Sequence, residues 1–242
     1  MTTTAVILAA GRGTRLAHLG TQAPKGFIRV GSEPIILESL KRLRAAGIKT
    51  VYIVTGHLAH FYDELAETDE SVITVHNAQY ATSGSMYSLY QLRDVLPPGT
   101  DILLLESDLV YEQRALTAVG EYPAADCLLV SGKTSSGDEV WVEADTGNLK
   151  RLSKDATILD SIFGELVGIT AVSYTLFRKM CARAEAYFAE SLHMEYESAL
   201  TEAAHEMPVP CLKIEDLAWA EIDTEEHLSR VRELVYPQIS TR

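Results

Sequence analysis

Hydrophobic positions along this chain follow two alternating patterns. Residues 5–10 (AVILAA), 51–55 (VYIVT) and 101–105 (DILLL) are short, nearly unbroken apolar runs, as expected of strands buried on both faces of a parallel sheet. A shorter strand is expected at 72–76. Residues 35–46, 58–67 and 85–95 carry apolar positions at helical spacing. Gly47 suits the C′ position of the first helix, and Pro97-Pro98-Gly99 stops the third. Strands alternating with helices imply βαβ units, right-handed crossovers and a mainly parallel sheet.

The second half reads differently. Strands are expected at 127–132, 140–144, 166–172, 208–214 and 218–223, and helices at 176–192, 196–204 and 225–234, with a polar loop at 133–138. No internal repeat, low-complexity tract or linker interrupts the pattern. The expectation is one α/β domain over residues 1–242, three-layered and Rossmann-like, with a mainly parallel mixed sheet.

Composition narrows the function. A 47% hydrophobic content fills a globular core, and no apolar run approaches the roughly 18 residues needed to cross a bilayer. The N-terminal apolar run is too short for a signal peptide, so a cytoplasmic protein without membrane partners is expected. Cys127, Cys181 and Cys211 are far apart and form no zinc pattern. The formal net charge of −13 repels nucleic acid and excludes DNA or RNA as a partner. The same charge repels a free nucleotide. A triphosphate therefore needs a local cationic patch and a divalent metal.

The first strand ends in Leu8-Ala9-Ala10-Gly11-Arg12-Gly13-Thr14-Arg15, with Pro24-Lys25-Gly26 downstream. Such a glycine-rich turn exposes backbone N–H groups that can cradle phosphate oxygens. Arg12, Arg15 and Lys25 supply the charge the rest of the chain lacks. It is not a P-loop, having no Gly-Lys-Ser/Thr at the right spacing. Leu16 stands where a dinucleotide fingerprint needs its third glycine, which argues against an NAD-dependent oxidoreductase. A plain tight turn remains the structural alternative.

LAAGRGTRL followed by PKGFIRVG resembles the signature of the sugar-phosphate and phosphocholine nucleotidyltransferases. SGSMYSLY at 83–90, the ESD segment at 106–108, GELVGI at 164–169 and AEIDTEEHL at 220–228 resemble further family segments in the same order. The resemblance implies a nucleotidyltransferase fold and nucleotide contacts from Leu8, Ala9, Ala10, Gly11, Arg12, Gly13, Thr14, Thr55, Gly56, Ser83, Ser85 and Ser88. It implies that Arg15 and Lys25 act on the phosphates and that Asp108 and Asp223 hold Mg²⁺, a hard cation that prefers oxygen. Each aspartate could equally cap a helix. A non-catalytic nucleotide-binding regulator would have no need of Lys25, Asp108 and Asp223 together, so catalysis is the expectation.

KTSSGDEVWVE at 133–143 resembles the acceptor loop of 2-aminoethylphosphonate cytidylyltransferases, and the acceptor subregion is expected at about 131–215. A cationic amine is well met by carboxylates and an aromatic face. Asp138, Glu139, Trp141, Glu165, Glu195 and Glu197 are the candidates, with Lys133 for the phosphonate. The expected partners are CTP, by resemblance alone, and a small amine-bearing phosphonate or phosphate. Phosphocholine and sugar 1-phosphates are the alternative acceptors. The sequence leaves a homodimer open.

Overall fold

Strand β1 (Thr4–Ala9) shows how the core is built in this computed structural model, which describes residues 2–16, 20 and 22–241. The outermost bounds of the expected domain, Met1 and Arg242, lie outside the described residues. Side chains of β1 alternate between faces. Ala5, Ile7 and Ala9 join one apolar cluster and Val6 joins another. The same alternation recurs along β4 (Ile102–Glu106), where Ile102 and Leu104 face one way and Leu103 and Leu105 the other.

The central sheet runs β10 (Cys211–Ile214), β6 (Cys127–Ser131), β9 (Gly164–Val172), β4, β1, β2 (Thr50–Thr55) and β3 (Val72–His76). Strand β9 is antiparallel to both β4 and β6, and the other strands on this path share one direction. The expected mainly parallel mixed sheet is therefore present. A hairpin of β7 (Trp141–Asp145) and β8 (Asn148–Ser153) hangs from β9.

Helices cover both faces. One cluster packs α1 (Ile35–Ala45), α2 (His60–Thr68) and α4 (Gln113–Glu121) through residues such as Leu40, Tyr62 and Leu116. The other packs α3 (Ser85–Tyr90), α5 (Tyr174–Phe188) and α6 (Tyr196–Ala204) through Met86, Phe177 and Leu200. A third, smaller cluster lies beside a two-stranded ribbon of β5 (Leu109–Tyr111) and β11 (Trp219–Glu221), which among the described residues carries no further strand. Helices α7 (Glu225–Arg230) and α8 (Tyr236–Thr241) close this end.

The structure shortens two expected helices and changes the winding of a third. The one expected at 85–95 is α only to Tyr90, after which Gln91, Leu92 and Arg93 donate to carbonyls three residues back as the chain nears its Pro-Pro-Gly stop. The one expected at 176–192 ends at Phe188, because the carbonyls of Leu192 and Met194 accept from Gly84 and Met86 N–H. The one expected at 225–234 gives way to a π-turn over Val231–Val235. Pro237 has no N–H to offer, and the wider turn keeps Val231, Val235 and Ile239 facing the third cluster. Among the described residues, no helix is long and apolar enough to cross a membrane.

Candidate active site

β1 and β4 lie side by side, and the chain leaves them towards opposite flanks of the sheet. In doubly wound sheets the crevice at the carboxyl ends of such strands is where ligands bind. From β1 comes the glycine turn. Gly13 holds φ +59°, a left-handed conformation that glycine adopts without penalty, and its carbonyl accepts from Leu16 N–H at 3.0 Å. From β4 come Glu106, Ser107 and Asp108. Ser107 N–H donates to Leu8 O at 3.2 Å, which ties the two strand ends together.

Lys25 reaches into this crevice from a single helical turn, Lys25–Phe27. Its ammonium donates to Asp108 Oδ2 at 2.6 Å and also to Asp223 Oδ1. Burial opposes its charge, but Asp108 and then Asp223 outweigh that and raise its pKa. Burial likewise favours a neutral Asp223, yet the Lys25 charge holds its carboxyl well below the usual range. Arg15 takes the other oxygen of Asp223 at 2.7 Å, and its second amino group donates to Asp138 Oδ2 at 2.7 Å.

Two short motifs meet here. Glu106-Ser107-Asp108 ends β4, and Glu221-Ile222-Asp223 ends β11. The ribbon brings them together, pairing Glu221 with Leu109, while Ile222 N–H donates to Asp108 O at 3.1 Å. Glu106, Asp108 and Glu221 each offer an oxygen within 4.8 Å of the others. Hard carboxylate oxygens at this spacing fit a divalent cation such as Mg²⁺. Burial, reinforced by neighbouring carboxylates, pushes the pKa of both Glu106 and Glu221 upward. A divalent cation would relieve that repulsion. Asp108 belongs to this trio and, through Lys25, to the pair with Asp223.

Two cavities of about 280 Å³ each adjoin at this point. Leu8, Ala9, Ala10, Gly11, Lys25, Ser83, Ser85 and Ser88 line the first. Arg15, Asp138, Lys154, Glu165 and Glu221 line the second. Glu106, Glu195 and Glu197 line both and form the wall between them. Burial raises the pKa of Glu197, whose Oε2 is buried without a hydrogen-bond partner. Tyr196, between these glutamates in sequence, donates to Glu106 Oε1 at 2.6 Å.

Helices α3 and α6 cap one another across the wall. Glu195 Oε2 accepts from Ser85 N–H at 2.9 Å, and Ser85 Oγ accepts from Tyr196 N–H at 2.8 Å. Asn77, fully buried, donates to both Ser83 and Ser88 at 3.0 Å and so fixes the segment that lines the first cavity.

The remaining expected residues are placed as follows. Arg12 and Thr14 lie exposed on the glycine turn. Thr55 is fully buried with its hydroxyl beside His76 Nδ1, and Gly56 lies against Tyr80, which lines the first cavity. Glu165 accepts from both the N–H and the hydroxyl of Thr134, and burial raises its pKa. Lys133 sits over the Trp141 ring, 5.4 Å from its centroid, so each occupies the other. Glu139 is half-buried nearby. Sequence reasoning missed Glu106, Glu221, Tyr196 and Lys154. The repeated Glu-x-Asp at two strand ends was the available signal for the first two, since a spacing of two puts both acids on one face.

Comparison with known proteins agrees with this geometry. The chain is 33% identical over 155 residues to a 2-aminoethylphosphonate cytidylyltransferase of Lancefieldella rimae, covering 63% of this chain and 61% of that protein. It is 37% identical over 92 residues to a choline-phosphate cytidylyltransferase of Streptococcus pneumoniae, covering 38% and 40%. Both matches thus span less than two thirds of the relative's length. Among solved structures, a CTP:phosphocholine cytidylyltransferase from Streptococcus pneumoniae superposes with a TM-score of 0.79 over 97% of this chain and 99% of that one, at 22% identity, a likeness of fold. Residues 5–190 match the MobA-like NTP transferase domain, and the chain belongs to that nucleotidyltransferase family.

Proposed function

We propose that this chain transfers CMP from CTP to 2-aminoethylphosphonate, giving CMP-aminoethylphosphonate and pyrophosphate. The observation that carries the reading is the wall of Glu106, Glu195 and Glu197 between the two cavities, beside the Lys25 ammonium. An anionic acceptor with a cationic head suits this pairing, the head meeting carboxylates while the anion approaches the cationic crevice. The similarity to cytidylyltransferases supports CTP as the donor.

The reaction needs positioning and charge neutralisation more than covalent help. A phosphonate oxygen attacks the α-phosphorus. Its new P–O bond forms as the bond to the bridging oxygen breaks, and pyrophosphate leaves with that electron pair. The attacking oxygen is already anionic at neutral pH, so no side chain must take a proton. Lys25 stabilises the charge that gathers on the α-phosphate, held in place by Asp108 and Asp223. Arg15 meets the β- and γ-phosphates. Asp108, with Asp223 or with Glu106 and Glu221, would hold Mg²⁺, which would supply further neutralisation of the phosphate charge.

Phosphocholine is the second reading, since its head is also cationic and a choline-phosphate enzyme is among the relatives. A sugar 1-phosphate asks for many neutral hydrogen-bonding groups, and this wall is acidic. Pyrophosphate release from each of four triphosphates, with aminoethylphosphonate, phosphocholine and several sugar phosphates, tests the reading. The expected result is release only with CTP, fastest with aminoethylphosphonate. Faster release with a sugar phosphate would overturn it.

A further inference from the structure

The loop between β6 and β7 contributes Thr134, Ser136, Asp138 and Val140 to the lining of the second cavity. Part of it takes an uncommon shape. Ser135 holds φ +57°, the left-handed region that a side chain disfavours, and Gly137 holds φ +95°. A serine persists there only where its surroundings fix it. Ser135 is itself exposed, so the fixing falls to its neighbour Thr134. The N–H and hydroxyl of Thr134 donate to the two oxygens of Glu165 at 2.7 and 2.9 Å. Its carbonyl accepts from Arg230 Nη2 at 2.6 Å.

That carbonyl belongs to the peptide joining Thr134 to Ser135. The peptide is planar, so a guanidinium that holds its oxygen also sets the Ser135 N–H from which the bend begins. Arg230 ends α7, a helix capped by Thr224 Oγ1, which accepts from His227 N–H at 3.1 Å. The residue before that cap is Asp223, the partner of Lys25. One short helix therefore runs from the Lys25 cluster to the loop of the second cavity. Burial raises the Glu165 pKa, the two Thr134 donors oppose this, and the Arg230 charge opposes it further.

We propose that Arg230 is a positioning residue, which holds the Thr134–Ser135 peptide so that the loop keeps the shape in which it walls the second cavity. Arg230 does not line that cavity, so it acts through Thr134 and not on a ligand. That the cavity takes the acceptor rests on the function proposed above.

Amide hydrogen exchange of the full chain, followed by NMR, reads the loop directly. Arg230→Gln should speed exchange at the Thr134 amide about tenfold or more, as for loss of a hydrogen bond from a charged group, and leave the amides of β1 unchanged. In steady-state kinetics the KM for 2-aminoethylphosphonate should rise by a similar factor, with the KM for CTP unchanged. Ser135→Gly adopts a positive φ without strain and should recover part of the loss in the Arg230→Gln background. Unchanged exchange at Thr134, equally faster exchange in β1, or no recovery by Ser135→Gly would overturn the proposal. Equal rises in both KM values would overturn the loop's link to the acceptor. If the wild type releases no pyrophosphate with any acceptor, the cytidylyltransferase reading fails, and the exchange comparison still decides for or against Arg230.

Discussion

The Tyr196 hydroxyl donates to Glu106 Oε1 at 2.6 Å, joining the first turn of α6 to the last residue of β4. Tyr196 is buried and Glu106 half-buried in the crevice, and Glu106 is one of the three acids spaced to hold a cation. The phenol fixes which way that carboxylate points.

Tyr196→Phe removes this one oxygen and leaves the ring. Outer partners of metal ligands set both orientation and affinity, so Mg²⁺ binding should weaken about tenfold. A Mn²⁺ titration followed by electron paramagnetic resonance reads this without turnover. Unchanged affinity would show that Glu106 needs no orienting partner.

Lys25→Ala should lower kcat by a factor of about 10²–10³, in line with the loss of one preorganised donor to a developing charge. The KM for CTP should move much less, because Arg15 and the glycine turn still meet the phosphates. A larger change in KM than in kcat would make Lys25 a ground-state contact.

Burial first, then neighbouring carboxylates, pushes Glu106 up to about 8, and burial pushes Glu197 up to about 7, from an ordinary value of 4.5. A raised acid keeps its proton in the folded state where the unfolded chain has lost it. Stability without metal is therefore full below 4.5 and falls as pH rises through 7 and 8. Added Mg²⁺ should raise Tm more at pH 8 than at pH 5. Equal gains at both pH values in thermal melts would contradict the reading.

Gly84→Ala would place a Cβ 2.3 Å from the Met194 carbonyl oxygen, where backbone and not a flexible side chain stands in the way. The α3 and α6 segments would be forced apart. The cost should be about 1–3 kcal/mol, read as a shift in the urea midpoint. Acceptor and nucleotide binding should weaken together, because the two cavities share this joint.

The parallel half of the fold was legible because its strands are apolar on both sides and its helices are amphipathic. Of the second half most strands and helices were also expected, but a few elements escaped for local reasons. β5 has only three residues, and α4 buries only Ala115, Leu116 and Val119. β8 carries Lys150 and Arg151 between Leu149 and Leu152, which breaks the apolar alternation by which a strand is read. Lys25, Asp108 and Asp223 were named from the sequence, and the structure brings them within hydrogen-bonding reach. Lys154 could not be named, since only tertiary folding sets it opposite Asp138.

Asp223, with the neighbouring Glu221, comes at the end of a three-residue strand whose one partner among the described residues is β5. The principal sheet has nine strands, so the two parts do not share one durability. Gentle warming would retire the chemistry while circular dichroism still registered an intact protein. Shelf life is then better gauged by turnover than by spectroscopy.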